Sequence, residues 1–170
     1  LALERGPEYR RVRIAIDLQP GENLERGVSL DRWTDMAAKG WWSGDLHIHR
    51  TPEDLPALMD ASDLNFAPTI TCFNDSLTLQ YWPRQAISDI GGNRVFSIDN
   101  CEDERPWGAA LFIGVKSPMS LYPRNTEYPG PAQTWGEARK RGAFIDLEKA
   151  IWWELPSLLR LVRPIPLALP

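Results

Sequence analysis

The chain has few cysteines, no long apolar run and no excess of basic charge, and each shortage excludes a class of protein. Its 170 residues include two cysteines, Cys72 and Cys101, too few for a disulfide framework, and whether they pair stays open. No stretch approaches the roughly 18 apolar residues of a membrane span, so we expect no membrane partner. With 19 basic and 23 acidic side chains the net charge is −4, so we expect no nucleic-acid partner.

Short apolar segments alternate with helical segments along the remainder of the sequence. Strands are predicted at residues 9–18, 28–30, 43–49, 65–71, 94–99, 109–115 and 143–147. Helices are predicted at residues 31–39, from Thr51 or Asp54 onward, from Thr134 to Gly142, and at 155–162. Residues 74–93 are predicted to form a loop or broken helix, and 116–131 a long irregular loop. This alternation predicts an α/β fold with a largely parallel sheet covered by helices.

Polar residues cluster where three of the predicted strands end. In α/β folds, functional sites lie at the carboxyl ends of the strands, so these clusters indicate a candidate site. The clusters are Asp45-His47-His49, Glu102-Asp103-Glu104 and Asp146-Glu148-Lys149. The acidic cluster at 102–104 is expected in a loop between two strands. The alternatives to a site are a solvated acidic loop and, for Glu148 and Lys149, a simple ion pair.

The two histidines of the chain, His47 and His49, are separated by one residue. On a strand, residues i and i+2 point to the same face, so both imidazoles can reach one cation. Neutral imidazole suits zinc, iron and related ions at metal–nitrogen distances of about 2.0–2.1 Å. Asp45, two residues earlier, could orient one of the rings. The alternative is a pair of exposed strand histidines that bind no metal.

The segment Gly40-Trp41-Trp42-Ser43-Gly44-Asp45-Leu46-His47-Ile48-His49-Arg50 closely resembles the opening motif of a known enzyme family. It is similar to the PHP-like metallohydrolases of the carbaryl-hydrolase (CehA/McbA) type, in which the first barrel strand commonly reads G-D-x-H-x-H. The resemblance extends, more weakly, over residues 30–159. It implies a distorted barrel of βα units with up to three metal ions. It also implies hydrolysis of phosphoester or carbamate ester bonds.

The later family motifs are only partly present. Where the family commonly reads Thr-Asp-His-Asn, this chain has Thr71-Cys72-Phe73-Asn74, which lacks the Asp and the His. Glu102 is the best match to a later Glu ligand, whereas Trp107-Gly108 stands where a Gly-His pattern often occurs. Glu137, Ala138 and Gly142 match an E-A-x-x-x-G helix, but Glu148-Lys149 replaces the His that follows it. A final Asp-x-His pair is expected beyond residue 170.

The resemblance and the strand-end acids together predict a metal site and a domain plan. The predicted ligands of a divalent zinc, manganese or iron ion are His47, His49, Glu102 and Glu148. Asp103 or Glu104 is the predicted general base for a water molecule activated by that ion. Residues 1–39 are predicted to be a remnant of an N-terminal β-sandwich with its linker, 40–163 a partial barrel, and 164–170 an irregular Pro-rich tail.

Two functions fit these features. The first is a metal-dependent hydrolase of an ester, carbamate or phosphoester bond in a small molecule, either with a smaller metal site or impaired by truncation. The second is a non-catalytic remnant or a Trp-rich module, with eight Trp, that binds carbohydrate or protein. Because the Pro-rich tail cannot form a central strand, we expect an open barrel whose sheet edge could support self-association. A soluble chain is expected, secreted or periplasmic if a signal segment precedes Leu1.

Overall fold

A computed structural model describes residues 1–74, 76–77, 85–106, 108–121 and 128–149 of the chain. These residues form a mixed α/β structure that is dominated by one sheet. Within the described ranges the sheet does not close on itself, so a βα barrel is not confirmed. The predicted helix at 155–162, Trp152-Trp153 and the Pro-rich tail lie outside the described residues. No helix of the described residues is long and apolar enough to cross a membrane.

The described elements are short except for two central strands. The strands are β1 (Ala2–Leu3), β2 (Val12–Arg13), β3 (Phe66–Phe73), β4 (Ser76–Leu77), β5 (Ile87–Gly91), β6 (Arg94–Arg105), β7 (Gly108–Ile113) and β8 (Phe144–Glu148). The α-helices are α1 (Leu55–Ser62) and α2 (Pro131–Lys140), and short 3₁₀ turns cover Ala37–Lys39 and Pro52–Asp54. Near the N-terminus β1 and β2 form a separate two-stranded ribbon, and the predicted strand at 28–30 is not present.

The main sheet has the strand order β4-β3-β6-β7-β8, with β5 paired to the first half of β6. Only the β3–β6 pair of these described strands is parallel, so the prediction of a largely parallel sheet was wrong. One reason is an unrecognised hairpin between β5 and β6. Gly92 and Asn93 both adopt positive φ, 62° and 58°, which is the geometry of a tight two-residue hairpin turn. A turn of this kind forces antiparallel pairing.

The histidine segment extends the parallel part of the sheet. Two isolated parallel bridges, Gly44 with Phe66 and Ile48 with Thr69, place residues 44–48 alongside β3. The order of parallel segments is therefore residues 44–48, then β3, then β6. Because parallel segments end at the same edge, this pairing brings His47 and His49 towards the second half of β6. The predicted ligands His47, His49 and Glu102 therefore lie towards one edge of the sheet.

The acids at 102–104 lie within β6, not in a loop as predicted. From Cys101 to Arg105 the strand pairs regularly with β7, so successive side chains alternate between the two faces of the sheet. Cys101 belongs to a core cluster that packs beneath α2 and includes Phe112 and Ala138. Glu102 and Glu104 therefore lie on the face opposite to α2. Three consecutive acids predicted a solvated loop, whereas Glu102 and Asp103 are both buried, on opposite faces of the strand.

The two helices cover separate parts of the core. Helix α1 contributes Leu55 and Met59 to a cluster with Ile48, Ala67, Phe96 and Ile98. Leu58 of the same helix is 40% exposed. Helix α2 begins at Pro131, before the predicted start at Thr134, because proline at the first helical position is already fixed in a helical φ.

Candidate metal centre

Three donor atoms converge where residues 47–49 meet β6. The Nε2 atom of His49 lies 2.8 Å from Oε2 of Glu102 and 3.1 Å from Nε2 of His47. The third distance, from Nε2 of His47 to the same Glu102 oxygen, is 3.3 Å. The contact between His49 and Glu102 therefore brings together two of the ligands that the sequence predicted.

The size of this triangle matches a coordination shell. Donors held about 2.0–2.1 Å from a tetrahedral zinc ion lie about 3.3 Å from one another. The observed edges of 2.8, 3.1 and 3.3 Å are close to that separation. Each atom can offer a lone pair, since neutral imidazole and carboxylate are both metal ligands. The three residues could therefore hold one divalent ion and leave its fourth position open.

Backbone pairing fixes the position of the two imidazoles. The carbonyl of Ile48, between the histidines, accepts a hydrogen bond of 2.8 Å from the backbone N–H of Ile70. The buried hydroxyl of Thr69 donates to the carbonyl of Arg50 at 2.6 Å. The ring of Phe73 meets that of His49 edge-on, with ring centroids 5.0 Å apart. These contacts hold the His-x-His segment against β3 from both ends.

Glu102 is the buried member of the triad. Its residue is 0% exposed, whereas the side chains of His47 and His49 are 26% and 45% exposed. A buried carboxylate is costly unless its charge is compensated, so burial at this position indicates a cationic partner. The histidines leave one side of the triangle open to solvent. A ligand could approach from that side.

Asn74 fixes the strand segment that presents Glu102. Its backbone N–H donates to the carbonyl of Glu102 at 3.1 Å, and its side-chain oxygen accepts from the N–H of Glu104 at 2.9 Å. The residue has φ +49°, a left-handed conformation that Asn tolerates better than most residues. Asn74 was noted in the sequence only as the end of a motif that had lost its ligands. Its positioning role was missed, as were those of Thr69 and Phe73.

Two further glutamates share the face of Glu102. In the strand register Glu104 lies beside Ala109, and Ala109 lies beside Glu148, so these two glutamates form one row across the sheet. Glu102 lies in the next row, beside Leu111 and Asp146, on the same face. Oε2 of Glu148 lies 3.5 Å from Nδ1 of His47, the ring nitrogen that points away from the triad. A carboxylate in that position can orient the imidazole rather than contact the ion. The structure therefore brings Glu148 to the site, but outside the cluster of three donors.

Lys149 is the cation of this face. Its ammonium lies 3.7 Å from Oε1 of Glu102 and forms a close ion pair with Glu104. The alternative prediction for Glu148 and Lys149 was a simple ion pair between the two. The two contacts above pair Lys149 with acids of β6, which that prediction did not include. Lys149 therefore joins the end of β8 to the acidic face of β6.

Asp103 lies on the other face of β6. Its carboxylate accepts from Arg105, with the shortest contact at 2.9 Å, and both side chains are 2% exposed. Arg105 also donates to the carbonyl of Pro129 and to the hydroxyl of Thr134, at 2.7 and 3.3 Å. The pair therefore anchors the start of α2. Of the two acids predicted as general base, the structure brings Glu104 to the site and does not bring Asp103.

Asp45 and the cysteines have structural contacts near the triad. The side chain of Asp45 accepts a hydrogen bond of 3.0 Å from the backbone N–H of His47, so it supports the turn and not an imidazole ring. Cys72 and Cys101 are register partners on β3 and β6, and both are free thiols. Burial, reinforced by the neighbouring Cys72, raises the pKa of Cys101 far above its usual range. Both cysteines belong to the core cluster that packs beneath α2.

No protein-family model, no curated protein and no solved structure matches the chain. The relationship to PHP-like metallohydrolases therefore stays a prediction that rests on the residues of the opening motif. The geometric result is independent of it. His47, His49 and Glu102 form a possible metal-binding triad by their positions alone.

Proposed function

We propose that this chain binds a divalent zinc, manganese or iron ion through His47, His49 and Glu102 and hydrolyses an ester, carbamate or phosphoester bond in a small molecule. The observation that supports the metal is the convergence of two ring nitrogens and a fully buried carboxylate oxygen within 3.3 Å of one another. Two imidazoles and one carboxylate are also the ligand set of several catalytic zinc sites. The PHP-like opening motif supports the choice of hydrolysis.

The residues around the triad have distinct parts in this proposal. A divalent ion held by His47, His49 and Glu102 would act as a Lewis acid and would lower the pKa of a bound water molecule towards about 7. Glu148 orients the imidazole of His47 through Nδ1. Glu104, on the same strand face as Glu102, is the acid that we assign as general base. The exposed side of the two histidines admits the substrate.

The test begins with metal content and continues to activity. Protein purified without chelator is analysed for elements, then stripped and reconstituted with Zn²⁺ or Mn²⁺. We expect close to one ion per chain in the wild type and its loss in His47→Ala, His49→Ala and Glu102→Gln. A matched control is Glu53→Gln, an exposed acid of the 3₁₀ turn that follows the motif. Metal-dependent hydrolysis is then assayed on carboxylic ester, carbamate and phosphoester substrates.

A second candidate function has its own observation. Trp33, Trp41 and Trp42 are each more than half exposed, and exposed aromatic rings are common where proteins bind carbohydrate or other proteins. Trp42 also lines a cleft of about 500 Å³ together with Asn65, Asp89 and Asn93. If the reconstituted wild type holds no metal, the hydrolase proposal is refuted and a Trp-rich binding module becomes the better explanation.

A further inference from the structure

Lys149 sits where β8 ends, in direct contact with the acidic face of β6. Its backbone has φ +54°, the left-handed region that most side chains avoid. From this position its ammonium lies between two carboxylates, 3.7 Å from Oε1 of Glu102 and in close contact with Oε1 of Glu104. The side chain is 23% exposed. A positive charge is thus held directly behind one ligand of the candidate metal centre.

The two oxygens of Glu102 have different surroundings. Oε2 faces both imidazoles, whereas Oε1 is buried and accepts no hydrogen bond from the residues that the structure describes. In two-metal hydrolases the ions lie about 3.5–4 Å apart, and a carboxylate between them can give one oxygen to each. In this chain the group next to Oε1 is the ammonium of Lys149. A second ion bound to Oε1 would have to displace that ammonium.

The acids of this sheet face show why one cation would exclude another. Glu102 lies beside Leu111 and Leu111 lies beside Asp146, so Asp146 shares the face with the three glutamates. The ammonium of Lys149 contacts two of these carboxylates. A second divalent ion next to Oε1 of Glu102 would lie close to that ammonium, and like charges repel strongly in a partly buried site.

We propose that Lys149 occupies the position of a second cation, so that the centre takes one divalent ion and Glu102 binds it through Oε2 alone. This inference rests on the proposed metal site and adds the number of ions that the site binds. Lys149 then determines how many ions the centre binds. The acids of this sheet face are the ligands that a second ion would use if the ammonium were removed.

The experiment counts manganese in the full chain and in Lys149 variants. Stripped protein is loaded with excess Mn²⁺, desalted and analysed for bound metal, and its electron paramagnetic resonance spectrum is recorded. We expect one ion and an isolated-ion spectrum for the wild type. Lys149→Gln should bind up to two ions and show the spectrum of a magnetically coupled pair. Lys149→Arg keeps the charge and should bind one. The matched control is Lys140→Gln, whose lysine side chain is 79% exposed on α2.

Each outcome separates this inference from the proposed function. One ion in both the wild type and Lys149→Gln overturns the inference and leaves the metal site standing. Two ions in the wild type also overturn it, and this result requires no variant. No ion in the wild type refutes the proposed function, and the inference with it. Circular dichroism shows whether each variant folds. Where a variant does not fold, the number of ions bound by the wild type tests the inference.

Discussion

Replacing His49 with alanine should abolish the stabilisation of this protein by metal while leaving the metal-free protein folded. Nε2 of His49 contacts both of the other donors, at 2.8 Å to Glu102 and 3.1 Å to His47. Without His49 only His47 and Glu102 of the three donors remain, and the closest of the three donor–donor contacts is lost. We therefore expect the wild type, and not His49→Ala, to melt at a higher temperature when Zn²⁺ or Mn²⁺ is added.

The size of the effect follows from linkage. A ligand that binds only the folded state stabilises it by about 2.7 kcal/mol at a free concentration one hundred times its Kd. For a chain of this length about 1 kcal/mol shifts Tm by about 2–4 °C, so the wild type should gain about 5–10 °C. The imidazole of His49 is 45% exposed and packs on Phe73, so its loss should cost the metal-free protein only about 0.5–1.5 kcal/mol.

The assay is thermal unfolding of chelator-stripped protein by circular dichroism, with and without added ion. Isothermal titration of the wild type gives the Kd and sets the ion concentration at one hundred times that value. Arg50→Ala is the matched control because Arg50 is the exposed neighbour of His49 in the same segment. It should keep the whole metal-dependent rise in Tm.

Two results would refute the reasoning. If His49→Ala shows the same metal-dependent rise as the wild type, the ion binds elsewhere and the triad is not its site. If the wild type shows no rise at an ion concentration that saturates other zinc or manganese proteins, the triad does not bind metal with useful affinity.

Two more predictions concern the opposite face of the sheet. Asp103→Ala should lower the free energy of unfolding by about 3–5 kcal/mol in urea titrations, because it removes the carboxylate of Asp103 from the buried Arg105. A loss below about 1 kcal/mol would contradict a structural role for this pair. Cys72 and Cys101 are at most 1% exposed, and burial raises the pKa of Cys101, so neither should react with a thiol reagent in the native protein. Both cysteines should react with the reagent in denaturant. Rapid labelling of the native protein, or labelling of fewer than two thiols after unfolding, would contradict the burial of these free thiols in the fold.

The sequence by itself determined the local features of the site. His47 and His49 are two residues apart, and an extended backbone places both imidazoles on one face. The segment 43–49 was predicted as a strand, and in the structure it pairs with β3 only through the isolated bridges at Gly44 and Ile48. The strand-end position of the acids at 102–104 indicated one of them as a partner, and the resemblance to PHP-like metallohydrolases implied that it is Glu102. The strands near residues 65–71 and 143–147 were found from short apolar runs, which are local signals.

Pairing was decided only by the tertiary structure. Whether two neighbouring strands run parallel depends on the connection between them, and the turn at Gly92 and Asn93 was read as the end of a loop. The hairpin it forms places β5 antiparallel to β6, and β7 pairs antiparallel with the second half of the same strand. A mostly antiparallel sheet resulted where a parallel one was predicted.

The division of the three acids between two faces could not be read from their order in the sequence either. Consecutive acids look equivalent until one of them is known to be in a strand. The β6–β7 register directs Glu102 and Glu104 towards the histidines and Asp103 towards Arg105 and α2. Likewise Lys149 reaches Glu102 only because β8 pairs with β7 across the same face. Contacts between residues far apart in the chain depend on register, and register is a property of the folded sheet.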